Sequence, residues 1–249
     1  MTGSLTTFAA QADIPFLEGD FACGFPHGLA SALQTRVDAL SLSVVNWPAE
    51  YPDFPQVTVR LAYGNEGIYL YYEVTEGAVV AKAVGYNGRV WEDSCVELFI
   101  DPLGDGSYYN LEVNCIGTPL LGKGEGRSGR VHAPDSDMQS IKTSSSLGTL
   151  PFDEREGPIS WNMVVMVPYR LLQLKGPESL AGKEIRGNVY KCGDGLKSPH
   201  YVTWSRIGTP HPDYHRPSDD FDRITPSVFI SATELSIAAF RALDSGLNR

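Results

Sequence analysis

The sequence predicts an all-β protein, an antiparallel β-sandwich of the jelly-roll type with a few short helices. Apolar residues alternate with polar ones at a period of two along many short runs, which is the pattern of a half-buried strand. Gly, Pro, Asn and Asp separate these runs and favour turns. Strands that follow one another without intervening helices are typical of an antiparallel sandwich.

The strand pattern is clearest in six runs: QVTVRLAY, IYLYYEVTE, SCVELFI, YYNLEVNCI, WNMVVMVPY and HYVTWSRI. Side chains on a strand point alternately to its two faces, so every second residue shares a face. The alternation places Ile68, Leu70, Tyr72 and Val74 on one face of their strand, and it predicts that five residues lie in the core between two sheets: Val96, Leu98, Ile100, Leu111 and Val113.

Helical patterns are few. They comprise HGLASALQTRV near the start, a turn around YRLLQL, and SATELSIAAFRALDSG near the end, where Ser231 or Thr233 would cap the helix. No repeat, low-complexity tract or linker divides the sequence. We therefore expect one domain over residues 1–249.

The net charge of the sequence limits the classes of ligand that the chain can bind. The 249 residues carry a formal net charge of −10, so nucleic acid and anionic membrane surfaces would repel the chain. We expect neither as a partner, whereas a neutral ligand meets no such barrier. The N-terminus lacks the pattern of a signal peptide. That predicts a cytoplasmic chain or an exported one whose signal has been removed.

The four cysteines are Cys23, Cys95, Cys115 and Cys192, and they form neither a CxxC pair nor a zinc-binding spacing. Cysteine often serves as a small hydrophobic residue in protein cores. We expect free, mostly buried thiols, with a disulfide as the alternative.

The run VWEDSCVELFID combines a strand pattern with acidic residues. If residues 90–101 form one strand, Trp91 and Glu97 share the face opposite Val96 and Leu98, because they are an even number of residues apart. One interpretation is structural, with Trp91 at the rim of the core and Glu97 paired with a basic residue. The other is a sugar site, in which the indole stacks on a pyranose ring and the carboxylate accepts hydroxyl hydrogen bonds.

The neighbouring runs add polar and aromatic side chains. In YYNLEVNCI, the residues Asn110, Glu112 and Asn114 share the face opposite the core. HYVTWSRI offers Trp204, which is either a second ligand-stacking ring or a half-buried core residue. Stacking rings together with amides and a carboxylate suit a neutral polyhydroxylated ligand.

Five motifs in order, VWEDSCVELFIDP, YYNLEVNCIGT, GNVYKCGD, PHYVTWS and PDYHRP, resemble the family 9 carbohydrate-binding modules. The likeness covers about residues 45–225 and is to the stand-alone family-9-like domains of bacteria. It implies a non-catalytic sandwich that binds a neutral mono- or oligosaccharide, such as a sugar chain end, in support of polysaccharide breakdown. The implied carbohydrate-binding residues are Trp91, Glu97, Asn110, Asn114 and Trp204.

In this resemblance the sugar is held between two Trp rings. Trp91 matches the first ring, and Trp204 matches the second, with Trp161 as its competitor. Glu97 matches the carboxylate, and the amide side chains of Asn110 and Asn114 stand for the remaining polar contacts.

Two other functions stay open. A glycoside hydrolase needs two carboxyl groups across the scissile bond, which Glu97 with Asp93 or Glu112 could supply. No nucleophile elbow or catalytic triad order accompanies them, so we expect no enzyme. A protein-interaction domain on the same scaffold is the third alternative.

No metal or cofactor is expected from the sequence. His211 and His215 are four residues apart, but Pro212 between them argues against a helix that would bring them together. The family resemblance leaves structural calcium open. Its candidate ligands are Asp101, Asp105 and Asp194, although no EF-hand spacing is present.

Overall fold

A computed structural model describes residues 10–126, 129–206 and, for the backbone alone, 238–242. Two β-sheets stacked face to face make up most of this part of the chain. Its strands are β1 (Gln11–Ile14), β2 (Leu40–Leu42), β3 (Val44–Val45), β4 (Gln56–Tyr63), β5 (Gly67–Ala81), β6 (Cys95–Asp101), β7 (Tyr108–Asn114), β8 (Pro119–Gly124), β9 (Val131–His132), β10 (Lys142–Ser145), β11 (Phe152–Pro168), β12 (Glu184–Cys192), β13 (Tyr201–Thr203) and β14 (Ala238–Ala242).

The helices are short, as predicted. They are α1 (His27–Arg36), α2 (Asp135–Met138) and three 3₁₀ helices, at Val90–Glu92, Tyr169–Leu172 and Pro177–Ser179. The first confirms the predicted N-terminal helix, and Tyr169–Leu172 confirms the turn around YRLLQL. In the described ranges, every helix is too short or too polar to cross a membrane.

The strands confirm the predicted all-β sandwich. The larger sheet joins nine of the described strands in the order β1-β14-β12-β6-β7-β8-β9, with β13 bridging β12 and β3. The smaller sheet has the order β10-β11-β5-β4-β2. Paired strands are antiparallel except for β1 and β14, which run parallel.

The core lies between the two sheets, and every core residue predicted from alternation is buried in it. Val96, Leu98 and Ile100 on β6 face this core with Leu111 and Val113 on β7. Side chains of the opposite parity on β6 and β7 therefore point to the outer face of the larger sheet. The smaller sheet buries its own outer face beneath α1, where Tyr69 and Tyr71 of β5 pack in one cluster with Leu29 and Leu33.

A buried polar network interrupts the apolar core. Lys191 Nζ lies 2.8 Å from Glu76 Oε2 and 2.8 Å from His200 Nε2, and the indole N–H of Trp161 donates to Glu76 Oε1 at 2.7 Å. Burial alone would raise the pKa of Glu76, but the Lys191 charge and the surrounding hydrogen bonds lower it to about 2. Burial and Lys191 lower the pKa of His200. A neutral imidazole is therefore present to accept from Lys191.

The predicted strand over residues 90–101 is wrong in its first half. Residues Val90–Glu92 form a 3₁₀ helix and the strand begins at Cys95. The Asp93 carboxylate accepts backbone N–H bonds from Lys82 at 2.8 Å and Ala83 at 2.9 Å. These bonds join Asp93 to residues ten and eleven positions earlier in the chain, and they hold the segment in a turn instead of a strand.

The predicted C-terminal helix is also wrong where the structure describes it. Ala238–Ala242 forms β14, which pairs with β12 on one side and β1 on the other. Backbone pairing with two strands thus overrides a helical pattern in the sequence. The rest of that predicted helix lies outside the described residues, as do His211 and His215.

Candidate functional site

Polar side chains and thiols meet on the outer face of the larger sheet. Glu97 lies directly opposite Glu112 of β7, and Cys95 lies directly opposite Cys192 of β12. Asn110 shares the face of Glu112, two residues before it on β7. We call Cys95, Glu97, Asn110, Glu112 and Cys192 the outer-face patch. All five side chains are buried.

The two glutamates of the patch repel each other when both are charged. Burial, and after it the charge of Glu112, raise the pKa of Glu97 to about 8. Asn110 Nδ2 donates to Glu112 Oε1 at 2.6 Å and so stabilises the Glu112 carboxylate. Burial and the Glu112 charge together therefore favour the protonated form of Glu97.

The thiols adjoin Glu97. The two sulfur atoms of Cys95 and Cys192 and a carboxylate oxygen of Glu97 all lie within 4.8 Å of one another. Burial raises the pKa of Cys95 to about 12, while the contact with Cys95, and then burial, raise that of Cys192. All four cysteines of the chain are free, three of them buried and Cys23 exposed.

Trp91 lies next to the patch, but not as part of the strand from which its position was predicted. It lies in the 3₁₀ helix, half-buried, and packs against an apolar cluster that includes Cys95, Cys192 and Tyr201. Its carbonyl accepts the backbone N–H of Asp194 at 3.1 Å. The alternation argument for Trp91 and Glu97 fails because a turn precedes the strand, yet the indole packs on the outer side of the sheet.

Of the three other tryptophans, Trp47 packs against the same cluster as Trp91, whereas Trp161 and Trp204 pack against the core between the sheets. Trp204 follows β13, donates its backbone N–H to the Val189 carbonyl at 3.0 Å, and packs half-buried against the core between the sheets. Trp91 and Trp204 thus belong to different hydrophobic clusters. Trp161 is 3% exposed within the core and bonds to Glu76. Trp161 is thus part of the buried network around Glu76.

The two predicted asparagines differ in what their amides do. Asn110 is 1% exposed, and its Oδ1 has no hydrogen-bond partner among the described residues. Asn114 donates to Ala83 O and Asp93 Oδ2, both at 2.8 Å, and accepts the Thr118 N–H. Asn114 therefore holds two loops together, whereas Asn110 retains an acceptor on the outer face.

Arg130 is a neighbour of the patch that the sequence argument missed. Its guanidinium lies over the rings of Phe99 and Tyr108, at 5.4 and 5.1 Å from the ring centres, and donates to the Tyr108 hydroxyl at 2.7 Å. Its charge partly offsets the rise in the pKa of Glu97. Arg130 follows a Gly-rich loop without periodicity, so no pattern in the sequence indicated its position.

The candidate calcium ligands do not form a group. Asp101 accepts the backbone N–H of Gly104 at 2.7 Å, and Asp105 accepts that of Ser107 at 2.9 Å. Over residues 10–126 and 129–206, the metal-competent side chains that do converge are Cys95, Glu97 and Cys192.

Comparison with known proteins is consistent with this architecture. The family model described as carbohydrate-binding family 9 matches residues 28–224. The crystal structure of a candidate carbohydrate-binding protein from Bacteroides uniformis is 35% identical, with 93% of this chain and 98% of that one covered and a TM-score of 0.78. Curated proteins gave no match.

A family 9 module from Caldicellulosiruptor kristjanssonii, solved with cellotriose, shares the fold at 11% identity, with a TM-score of 0.53 and 96% of each chain covered. That likeness concerns the sandwich alone. The family model spans most of the sequence and both sheets, and on that match the chain belongs to carbohydrate-binding family 9.

Proposed function

We propose that the chain binds a neutral carbohydrate, a sugar chain end or small oligosaccharide, at the outer-face patch without cleaving it. The observation that carries this proposal is the acceptor of Asn110, buried on the outer face beside the Glu97–Glu112 pair. A buried polar atom without a partner costs free energy, which a ligand hydroxyl would recover. Family membership supports the same class of ligand, since a family 9 module has been solved with cellotriose.

In this proposal Trp91 is the stacking ring, because it packs beside the two thiols of the patch. An indole supplies a flat apolar surface for a pyranose ring. Trp204 is kept as the second ring on the strength of the motif resemblance, and Asn114 as a residue that shapes the loop near Trp91. The net charge of −10 favours neutral over acidic sugars.

Isothermal titration calorimetry with glucose, cellobiose and cellotriose tests the proposal. We expect dissociation constants in the micromolar to millimolar range, about −8 to −4 kcal/mol, since small sugars compete with water at every hydroxyl. Asn110→Ala and Glu97→Ala should each weaken binding, because they remove polar contacts. Phe152→Ala, in β11 of the smaller sheet, is the matched control and should bind as the parent does.

No heat with any neutral glycan, from a chain that is folded by circular dichroism, would overturn sugar binding and favour the protein-interaction alternative. Binding that is unchanged in both Asn110→Ala and Glu97→Ala would instead move the sugar site away from the patch.

Glycoside hydrolysis is the second candidate, because Glu97 and Glu112 face each other with the pKa of Glu97 raised as a general acid requires. Family 9 is a family of non-catalytic binding modules, which favours the first proposal. Chromatography of the calorimetry samples after prolonged incubation separates the two. We expect the sugars to remain intact, and release of glucose that Glu97→Gln abolishes would establish an enzyme.

We also infer a supporting role in glycan breakdown, in which the chain keeps a glycosidase close to its substrate. The test compares glucan hydrolysis by an added glycosidase fused to the parent chain with hydrolysis by a fusion carrying Asn110→Ala. A higher rate with the parent fusion is expected, and equal rates would contradict the role.

A further inference from the structure

The sulfur-containing half of the outer-face patch has the composition of a metal site. Cys95 and Cys192 are directly opposed on neighbouring strands, and Glu97 lies two residues beyond Cys95 on the same face. Their sulfur and carboxylate oxygen atoms all lie within 4.8 Å of one another. The two cysteines are far apart in the sequence, so the site is created only by the pairing of β6 with β12.

We propose that Cys95, Cys192 and Glu97 bind one zinc ion. Zinc prefers thiolate, imidazole and carboxylate ligands in a tetrahedron, with Zn–S distances of about 2.3 Å. Two thiolates on such an ion are roughly 3.8 Å apart. Donors within 4.8 Å therefore need only small side-chain movements to reach this geometry. Three protein ligands leave the fourth position for a water molecule.

The ligand chemistry distinguishes zinc from calcium and magnesium. Thiolates are soft ligands that select zinc over the hard cations, which prefer oxygen alone. Binding replaces the thiol protons of Cys95 and Cys192 and, where Glu97 is protonated, its carboxyl proton as well, so one Zn²⁺ gives a dithiolate–carboxylate complex and releases up to three protons. Metal affinity should therefore increase with pH.

The surroundings support a cation at this position. Glu112 opposes Glu97 directly, and Asp194 is close enough to act on both Glu97 and Cys192, so acidic groups crowd the site. Among the residues that the structure describes, two cations act on the site, and both are already engaged. Arg130 acts on Glu97 and donates to Tyr108, and Lys191 acts on Cys95 and is paired with Glu76. A divalent ion would relieve the repulsion that these acidic groups exert on one another.

Apolar side chains surround the two sulfur ligands. Trp91, Leu120 and Tyr201 pack around the two cysteines, and the thiol of Cys192 contacts the Trp91 carbonyl at 3.7 Å. Such a shell limits water access and strengthens metal–ligand attraction. Site formation does not depend on sugar binding, so the two proposals can fail separately.

Cobalt titration of the full chain tests the site directly, after reduction and removal of metal and without sugar. Co²⁺ reports thiolate ligation through charge-transfer absorption in the near ultraviolet, and Zn²⁺ should displace it at one equivalent. We expect Cys95→Ser and Cys192→Ser to weaken metal binding at least about 100-fold, because losing second-shell partners already costs about 10- to 100-fold. Cys23→Ser, at the exposed cysteine, should match the parent.

A third variant keeps both thiols, and it tests whether the serine variants lose metal binding only because they unfold. Glu97→Gln preserves the size of the side chain, and we expect it to weaken Zn²⁺ binding at least about tenfold and to reduce the rise in melting temperature that Zn²⁺ causes in the parent. The proposal is overturned if the reduced parent shows no cobalt–thiolate absorption, if the absorption survives in both serine variants, or if Cys95 and Cys192 are joined in a disulfide that resists reduction.

Discussion

Lys191 Nζ lies 2.8 Å from Glu76 Oε2 between the two sheets, and the side chains are 0% and 1% exposed. A buried ion pair is costly to break, because removal of one partner leaves the other charge without compensation. We expect Glu76→Gln and Lys191→Met each to lower the free energy of unfolding by about 3–5 kcal/mol. Urea denaturation followed by tryptophan fluorescence measures the loss.

The exposed ion pair between Lys197 and Glu156 is the control for this prediction. Lys197→Met should leave the urea midpoint unchanged, because solvent screens pairs of this kind. Equal losses in the buried and exposed variants would contradict the role given to Glu76 and Lys191.

The same network predicts loss of stability in acid. The pKa of Glu76 is about 2 in the folded chain, against an ordinary value of 4.5. Below about pH 4.5 the Glu76 carboxylate of the unfolded chain takes up a proton, whereas that of the folded chain does so only near pH 2. The stability that Glu76 contributes above pH 4.5 is therefore lost as the pH falls from about 4.5 to 2. The loss is about 3 kcal/mol.

Folding also lowers the pKa of His200 from its ordinary value of 6.5. Below pH 6.5 the unfolded chain therefore binds a proton at His200 more readily than the folded chain does, and stability again falls as the pH falls. Chemical denaturation at a series of pH values measures both contributions. Glu76→Gln should show a shallower decline between pH 4.5 and 2 than the parent. Parallel curves for the two proteins would rule out Glu76 as the titrating group.

The tryptophans Trp91 and Trp204 should respond differently to truncation. Trp204 packs against the core between the sheets, so Trp204→Ala leaves a cavity and should lower the free energy of unfolding by about 3 kcal/mol; as the proposed second ring, its loss should also weaken sugar binding. Trp91→Ala should weaken sugar binding by about 1–3 kcal/mol, the range measured for bases stacked on aromatic rings, with little loss of stability. Thermal melts and calorimetry on both variants distinguish these effects.

A sugar affinity that Trp91→Ala leaves intact would exclude this ring as the stacking surface. A Trp204→Ala variant that loses stability but binds sugar as the parent does would exclude Trp204 as the second ring.

The two asparagines of β7 allow a matched comparison. Asn114→Ala removes hydrogen bonds to the Ala83 carbonyl and the Asp93 carboxylate, and it takes away the acceptor of the Thr118 N–H. We expect a loss of about 1–3 kcal/mol of stability. Asn110→Ala removes a bond to Glu112 and an acceptor on the outer face, so its larger effect should be on sugar binding. Urea denaturation measures the loss of stability, and calorimetry measures the loss of sugar affinity. If Asn110→Ala loses more stability and Asn114→Ala loses more affinity, Asn114 is the ligand contact and Asn110 the structural residue.

The sequence determined the class of fold and the faces of its strands. Alternation along β6 and β7 predicted the buried residues Val96, Leu98 and Leu111, and it placed Glu97 and Asn110 on the opposite face. This information is local, because side-chain direction on a strand depends only on whether a position is odd or even. A prediction of that kind needs no knowledge of which strands are neighbours.

Tertiary structure decided which outer-face residues meet. Cys95 and Cys192 become neighbours only through the register of β6 and β12, and Trp91 reaches them because Asp93 folds the preceding segment into a turn. Ala238–Ala242 is a strand because β1 and β12 pair with it. Each of these outcomes depends on contacts between residues distant in sequence, where backbone pairing and burial outweigh local propensity.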